Sequence, residues 1–236
     1  MGEVLFPRVV QKVAHPLYLG DSVFANNTWA AIIEACQKNK VPESWAVGDQ
    51  KPMIINGAEY AIDIIGKNHD TYADGSGIAP LTFQLHDCYE KTYQLNGTQG
   101  NSDGWAACTF RTTDLPTIIA AMPKLVRDGL HAVTKRTGGG YSNPGFRSTT
   151  DKLFLLSEVE IFGSNISTNA GEGTQYAYYA AGGSKIKKLN GAAISWWERS
   201  PNKNANDAYG YVQATGTHAN GNPYYSEYGV APAFCF

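Results

Sequence analysis

The stretch that decides the interpretation of this sequence is Asp207-Ala-Tyr-Gly-Tyr-Val-Gln-Ala-Thr215. Its odd positions carry aspartate, tyrosine, glutamine and threonine, and its even positions carry alanine, glycine and valine. Because side chains alternate between the two faces of a strand, the pattern predicts a β-strand with a small apolar face and a large polar-aromatic face. We expect the small face to pack inward and the tyrosine face to meet solvent or a partner.

The residues on either side of this strand are rich in asparagine and tyrosine. Tyrosine combines a large contact area with a hydroxyl group and only two side-chain torsions, which suits binding surfaces. Two interpretations follow: a ligand-binding face, or a polar loop over a sheet whose tyrosines cap the core. We favour the first, with these candidate ligand-binding residues: Asn202, Asn204, Asn206, Asp207, Tyr209, Tyr211, Gln213, His218, Asn220, Asn222, Tyr224, Tyr225, Ser226 and Tyr228.

Two motifs that contain several aromatic residues bracket the segment and predict how it is anchored. The first is Trp196-Trp197-Glu-Arg-Ser-Pro201, and the second runs from Tyr228 to Phe236. We expect both tryptophans to be core anchors and Arg199 to hold loops by hydrogen bonds. The apolar Phe234-Cys235-Phe236 predicts a last strand that is buried and paired.

The preceding part of the chain predicts an α+β fold. Thr28, with Asn27, is a candidate N-cap for a helix that ends near Asn39. The run Met53–Ile65 is a hairpin around Asn56-Gly57, and Leu81–Leu85 alternates like another strand.

Later segments are less regular. Asp114 is expected to cap a helical pattern that is interrupted or restarted at Pro123. Lys152–Phe162 is a buried, β-leaning run, and Glu172–Ala181 predicts a short helix.

We divide the chain into residues 1–44, an N-terminal arm and short helix for attachment or oligomerisation, and residues 45–236, one ligand-binding domain. For residues 1–24, an ordinary N-terminal strand remains an equal alternative to an arm.

Composition narrows the class of protein. A net charge of -2 and a pI near 6.2 argue against nucleic-acid binding, which needs a basic surface. No secretory signal is expected in Met1–Gly20, and no stretch is long and apolar enough for membrane insertion. The four widely spaced cysteines are interpreted as buried, reduced thiols of a protein made in a cytoplasm.

No catalytic residue, metal site or cofactor is predicted. The pairs His69-Asp70 and His86-Asp87 lie in separate segments, so histidines satisfied by carboxylates are expected rather than a converging metal site. No nucleophile elbow, phosphate loop or zinc-helix motif occurs. A metal-dependent oxidase or hydrolase involving His69 or Cys235 is the least favoured alternative.

The bracketing motifs carry a resemblance. W-W-x-R-S-P followed by Y-G-V-x-P-A-F resembles the signature of a family of uncharacterised domains in phages and gut bacteria, related to the formylglycine-generating-enzyme branch of the C-type lectin fold. The resemblance extends over about residues 45–236 through further motifs around Trp45, Ile64–Asp70, Leu81–Phe83, Arg111 and Lys152–Ile161. It assigns structural roles to Trp196, Trp197, Arg199, Gly229 and Pro232. Ala231 stands where the family usually has arginine, which puts any charge pairing built on that arginine in doubt.

The resemblance implies a C-type-lectin-like fold with two helices, a small antiparallel sheet and long irregular loops. It also implies a phage tail or bacterial surface adhesion protein that binds a host-surface protein or glycan and forms a homo-oligomer, for which a trimer is one option. In related proteins diversified by retroelements, substitutions fall in this same segment. The alternative is a structural virion protein that uses the face as a contact with other virion or surface subunits.

Overall fold

A computed structural model describes residues 20–102, 104–225 and 228–236. It has an α+β fold, so the predicted class is confirmed, but the described residues form six α-helices rather than two. The helices are α1 (Trp29–Gln37), α2 (Gly104–Ala107), α3 (Leu115–Ala121), α4 (Lys124–Gly129), α5 (Glu158–Phe162) and α6 (Ala177–Ala180). The strands are β1 (Gln50–Ile55), β2 (Ala58–Lys67), β3 (Leu81–Leu85), β4 (Val133–Gly138), β5 (Phe146–Asp151), β6 (Leu153–Phe154), β7 (Lys187–Leu189), β8 (Ala192–Ile194), β9 (Trp196–Pro201), β10 (Tyr209–Val212), β11 (His218–Gly221) and β12 (Ala233–Cys235).

The largest sheet is antiparallel, with strand order β1-β2-β3-β12-β6. The predicted hairpin is β1–β2, and both residues of its Asn56-Gly57 turn have positive φ (50° and 77°). A two-residue turn of this kind matches the twist of the strands it joins. Strand β12 lies between β3 and β6 and is fully buried, which confirms the expected pairing of the last strand.

Aromatic rings join the first described helix to this sheet. Phe83 on β3 stacks on Phe24 (6.2 Å between centroids) and on Phe234 (5.4 Å), while Trp29 of α1 contacts Phe83 and Phe236 edge-on. Residues 24–37 therefore pack in the same core as the sheet. The rest of the predicted arm, residues 1–19, lies outside the described residues.

Two helical predictions agree with the structure. The Thr28 side chain accepts a hydrogen bond from the Ala31 N–H (3.2 Å) and caps α1, and Pro123 separates α3 from α4. Asp114 does not cap α3. A π-helical turn, Phe110–Asp114, leads directly into α3, so Asp114 already has helical backbone angles and no free amide groups remain there to be capped.

The prediction of a continuous β-leaning run over 152–162 is wrong in its second half. Only Leu153–Phe154 pairs as a strand, and the chain then enters α5. Ser157 accepts a hydrogen bond from the Glu160 N–H (3.1 Å), and Glu160 accepts one from the Ser157 N–H (3.0 Å). This capping box starts a helix in spite of the β propensity of the flanking residues.

The remaining strands form three small antiparallel sheets, β11-β10-β9, β4-β5 and β7-β8. In the part of the chain that the structure describes, no helix has both the length and the apolar character required to span a bilayer. The three-stranded sheet and the loops that adjoin its strands hold most of the candidate binding residues.

Candidate ligand-binding face

The loop between β9 and β10, residues 202–208, is held by one buried side chain that the sequence analysis did not single out. The Asn101 Nδ2 group donates hydrogen bonds to the carbonyls of Asn202 (3.0 Å), Ala205 (2.8 Å) and Ala208 (2.8 Å). The Asn101 backbone N–H also donates to the Asn206 carbonyl (2.9 Å). Because Asn101 has no exposed surface, it fixes the shape of this loop from inside.

A second loop, residues 222–225, is also held by hydrogen bonds. The Asn222 Oδ1 accepts a hydrogen bond from the Tyr224 N–H (3.0 Å), and the Asn222 carbonyl accepts one from the Tyr225 N–H (3.1 Å). The Pro223 carbonyl accepts hydrogen bonds from the N–H groups of Leu95 (2.8 Å) and Asn96 (3.0 Å). With this backbone in place, Tyr224 is 48% exposed and Tyr225 is 54% exposed.

A partly exposed aromatic stack lies beside β10. The rings of Tyr211 and Tyr228 stack with 4.2 Å between centroids, and Tyr228 contacts the edge of the buried Trp197 at 4.6 Å. The Trp197 Nε1–H donates to the Tyr93 carbonyl (2.8 Å), so the base of the stack cannot rotate freely. Gly221 leaves room for the stack, because a Cβ there would lie 2.8 Å from the Tyr228 ring.

The structure corrects two of the predicted binding residues on the first half of the segment. Tyr209 is fully buried, and Asn202 is only 8% exposed. The pairing of β9 with β10 shifts between Tyr209, which lies opposite Pro201, and Tyr211, which lies opposite Trp197. This irregularity breaks the alternation that placed both tyrosines on one outer face.

His218 is a third correction, because its side chain is only 6% exposed. Its Nδ1 lies 3.2 Å from Glu198 Oε1, and its Nε2 lies 2.9 Å from Ser167 Oγ. Burial raises the pKa of Glu198 to about 7, against the opposing effect of His218. Burial lowers the pKa of His218, but the hydrogen bond and charge of Glu198 outweigh it, so the pKa is raised.

The other predicted residues that the structure describes are at least partly exposed. Asn222, Gln213, Tyr211 and Tyr228 are partly buried, and Ser226 lies outside the described residues. The exposed positions are Asn204, Asn206, Asp207, Asn220, Tyr224 and Tyr225. We call these six residues, together with Tyr211 and Tyr228, the C-terminal face.

The residues of the bracketing motifs lie in the core. Trp196, Trp197 and Arg199 have no exposed surface, and Gly229 and Pro232 are buried. Cβ on Gly229 would lie 2.5 Å from the Cys88 Sγ, so this close approach admits no side chain.

Arg199 holds several segments together, as the sequence analysis expected. It donates to the Glu160 carboxylate, to Thr137 Oγ1 (2.9 Å) and to the carbonyls of Leu155 (3.0 Å) and Glu172 (3.0 Å). Four groups from four segments thus share one guanidinium, whose planar set of donors suits such a role.

Glu160 extends this contact into a buried ion network. Lys135 lies 2.7 Å from Glu160 and 2.7 Å from Asp70. Burial would raise the pKa of Asp70, but Lys135 outweighs burial and lowers it to about 2. The two cations and two anions balance, which is what allows charges to remain in the core.

The residues of the alternative catalytic hypothesis do not converge. His69 stacks on Tyr176 (3.9 Å between centroids), while His86 binds Asp63 (2.8 Å) rather than its neighbour Asp87. Cys235 is fully buried, and burial raises its pKa well above that of an ordinary thiol. All four cysteines are buried free thiols, in agreement with the prediction. A buried thiol of raised pKa is a poor nucleophile.

The clefts on the described part of the protein differ in volume and in their distance from the C-terminal face. Clefts of about 400 Å³ beside His86 and about 520 Å³ beside His131 lie away from the C-terminal face. The segment of Asn101 borders a polar groove of about 290 Å³ lined by residues between Asn96 and Thr109. The groove lining includes no charged side chain among the described residues.

Asn101 gave no usable signal in the sequence. It lies in the polar, glycine-rich stretch 96–104, where an asparagine is an ordinary loop residue. Its contacts reach more than 100 positions along the chain, a separation that no local pattern encodes.

Comparison with known proteins gives one match. Residues 114–236, which are just over half of the chain and include the whole C-terminal face, match the family described as Domain of unknown function (DUF6273). Neither the curated proteins nor the solved structures contain a significant match. On the extent of the family match, the chain belongs to the DUF6273 family.

Proposed function

We propose that this protein is a non-enzymatic binding module with a C-type-lectin-like fold, which recognises a host-surface glycan or protein through the C-terminal face. Its setting in this proposal is a phage tail or bacterial surface adhesion structure. The resemblance described in the sequence analysis supplies the fold and the setting, and the geometry of the face supports the binding role.

The observation that carries the proposal is the combination of exposed side chains with a fixed backbone. Tyr224 and Tyr225 are about half exposed, yet their loop is tied to Asn222 and to residues 95–96. Asn101 fixes the neighbouring loop of residues 202–208 in the same way. Exposed aromatic groups on an ordered backbone lose little entropy on binding.

The composition of the face also fits recognition. It offers asparagine amides at three exposed positions and aromatic rings at Tyr211, Tyr224, Tyr225 and Tyr228. Amides pair with hydroxyl groups, and aromatic rings provide apolar contact area, so both glycans and protein surfaces match this chemistry.

The test uses fluorescently labelled protein on a glycan microarray and on a panel of intact bacterial cells. The double variant Tyr224→Ala/Tyr225→Ala is expected to lose binding at least about 10-fold, as removal of aromatic anchors does at other interfaces. Its thermal stability should stay close to that of the parent, because both side chains are exposed.

The matched control is Ile54→Ala/Leu125→Ala, which removes two exposed apolar side chains (each 52% exposed) outside the C-terminal face. Equal loss of binding in both double variants would contradict the proposal. Self-association that is lost only in the tyrosine variant would instead identify the face as a subunit contact.

A further inference from the structure

A second group of polar side chains lies on the side of β11 that faces α5. Glu158 begins α5, Ser167 follows in the next loop, and His218 and Asn220 belong to β11. The Ser167 Oγ lies 2.9 Å from His218 Nε2, 3.1 Å from Glu158 Oε2 and 2.9 Å from Asn220 Oδ1. His218 Nε2 and Glu158 Oε2 are 3.5 Å apart.

These atoms have more lone pairs than protons, although the Ser167 backbone N–H also donates to Glu158 Oε2 (3.2 Å). When the His218 Nδ1 proton is shared with Glu198, Nε2 is an acceptor, as are Glu158 Oε2 and Asn220 Oδ1. The single hydroxyl proton of Ser167 then faces three acceptors. A divalent cation at this point would accept these lone pairs and balance the carboxylate charge, and its binding would release any proton held on Nε2.

Glu198 provides an independent observation. It is fully buried, its Oε1 lies 3.2 Å from His218 Nδ1, and its Oε2 has no hydrogen-bond partner among the described residues. Glu158, Glu198 and His218 each offer a ligand atom, and these atoms lie within 4.8 Å of one another. A carboxylate on the far nitrogen of a histidine is the arrangement that orients metal-binding imidazoles.

Gly210 makes this arrangement possible. Strand β10 lies between β9 and β11, so Glu198 must reach across β10 to contact His218. A Cβ at Gly210 would lie 2.3 Å from Glu198 Oε2 and 3.2 Å from the His218 ring. The absence of a side chain at this position therefore brings the carboxylate and the imidazole together.

The kind of ion follows from the donor atoms. Zinc-like ions form bonds of about 2.1 Å, which separate neighbouring ligands by about 3.0–3.4 Å. The separations here, 2.9–3.5 Å, fall close to that range. An imidazole nitrogen beside oxygen donors favours a transition metal over Ca²⁺, which takes oxygen ligands. Asn220 is exposed, whereas the side chains of Glu158, Ser167 and His218 are buried, so Asn220 lies on the solvent side of the group.

We propose that Glu158, Ser167, His218 and Asn220 bind a divalent transition-metal ion of the zinc class, with Glu198 orienting the imidazole through Nδ1. Such an ion would join α5 and its following loop to β11 beside the C-terminal face. The proposal does not depend on the ligand-binding function.

The test is a calorimetric titration of EDTA-treated, dialysed protein with zinc sulfate, accompanied by thermal unfolding with and without zinc. One equivalent of zinc should bind and raise the Tm, because an ion that binds only the folded state stabilises it. His218→Gln and Asn220→Leu should each remove or strongly weaken binding. Asn220 is exposed, so that variant tests the site without disturbing the core.

Two further variants separate this site from other histidine–carboxylate pairs. Glu198→Gln should weaken zinc binding roughly 10–100-fold, as loss of an orienting carboxylate does elsewhere. His131→Gln is the matched control, because His131 also lies 2.9 Å from a carboxylate, that of Asp74, but outside the group. The proposal is overturned if zinc in large excess neither binds nor shifts the Tm, or if His131→Gln reduces binding as much as His218→Gln.

Discussion

Replacement of Asn101 by alanine tests how the loop of residues 202–208 is held. The change removes four side-chain hydrogen bonds of a fully buried amide: three of 2.8–3.0 Å from Nδ2 to backbone carbonyls, and one of 3.2 Å from the Tyr141 N–H to Oδ1. At about 1 kcal/mol for each hydrogen bond, with an added penalty for buried carbonyls left unpaired, we expect the free energy of unfolding to fall by about 2–4 kcal/mol. Urea denaturation measures this change.

The loop itself should respond more than the rest of the protein. The Asn202 N–H, which donates to the Ala208 carbonyl, should exchange with deuterium faster in Asn101→Ala than in the parent. The exchange rates of the β12 amides should rise only by the amount that the loss of global stability explains. Asn101→Asp keeps the side-chain size but presents an acceptor to the carbonyls, so it should destabilise at least as much.

The matched control is Asn204→Ala, an asparagine in the same loop whose side chain is exposed. This variant should change the stability by no more than about 0.5 kcal/mol. The reasoning is refuted if Asn101→Ala is equally mild, or if its loop amides exchange no faster than those of the parent.

Two further predictions follow. Tyr209→Ala should lower the free energy of unfolding by about 3–5 kcal/mol because the ring is fully buried, whereas Tyr211→Ala should lower it less because Tyr211 is partly exposed. Similar losses for the two variants in urea denaturation would contradict the placement of Tyr209 in the core. Burial raises the pKa of Glu172 to about 7, so its folded state retains a proton that the unfolded state releases near 4.5. The stability from this group is therefore present below about pH 4.5 and lost as pH rises toward about 7. Between about pH 4.5 and 7, the free energy of unfolding of Glu172→Gln should fall by roughly 2–3 kcal/mol less than that of the parent protein. A variant whose stability depends on pH as the parent's does would count against the raised pKa.

Local sequence signals predict local structure well in this protein. Asn56-Gly57 predicts the β1–β2 hairpin correctly because both residues adopt positive φ readily. Thr28 predicts the start of α1 correctly because its hydroxyl group caps the helix. The apolar Phe234-Cys235-Phe236 gave a buried strand. The first two outcomes depend on residues within a few positions of one another, whereas the last strand is signalled by its local apolar run but pairs with the distant strands β3 and β6.

Specific contacts that override a regular pattern explain the errors, one between neighbouring strands and one local. Alternation alone placed Tyr209 outward, but the register shift of β9 against β10 turns it into the core. Propensity alone made 152–162 a strand, but the Ser157–Glu160 capping box starts a helix there. Both errors arise where a specific contact overrides a regular pattern.

The C-terminal face was predicted in outline only. The exposed tyrosines and asparagines follow from composition, but the support from Asn101 and the buried position of His218 depend on segments distant in sequence. The exposed positions are therefore the ones expected to vary among natural sequences if the segment is diversified, while Asn202, Tyr209 and His218 should stay constant.

The most direct test of the central claim is photo-cross-linking from the C-terminal face. Protein carrying p-benzoylphenylalanine at position 225 is exposed to light on a bacterial strain that binds the parent protein, and a second sample carries the group at the exposed position 125. We predict cross-links to a cell-surface component from position 225 and none from position 125. Equal cross-linking from both positions, or cross-links from position 225 only to a second copy of this chain, would contradict the account.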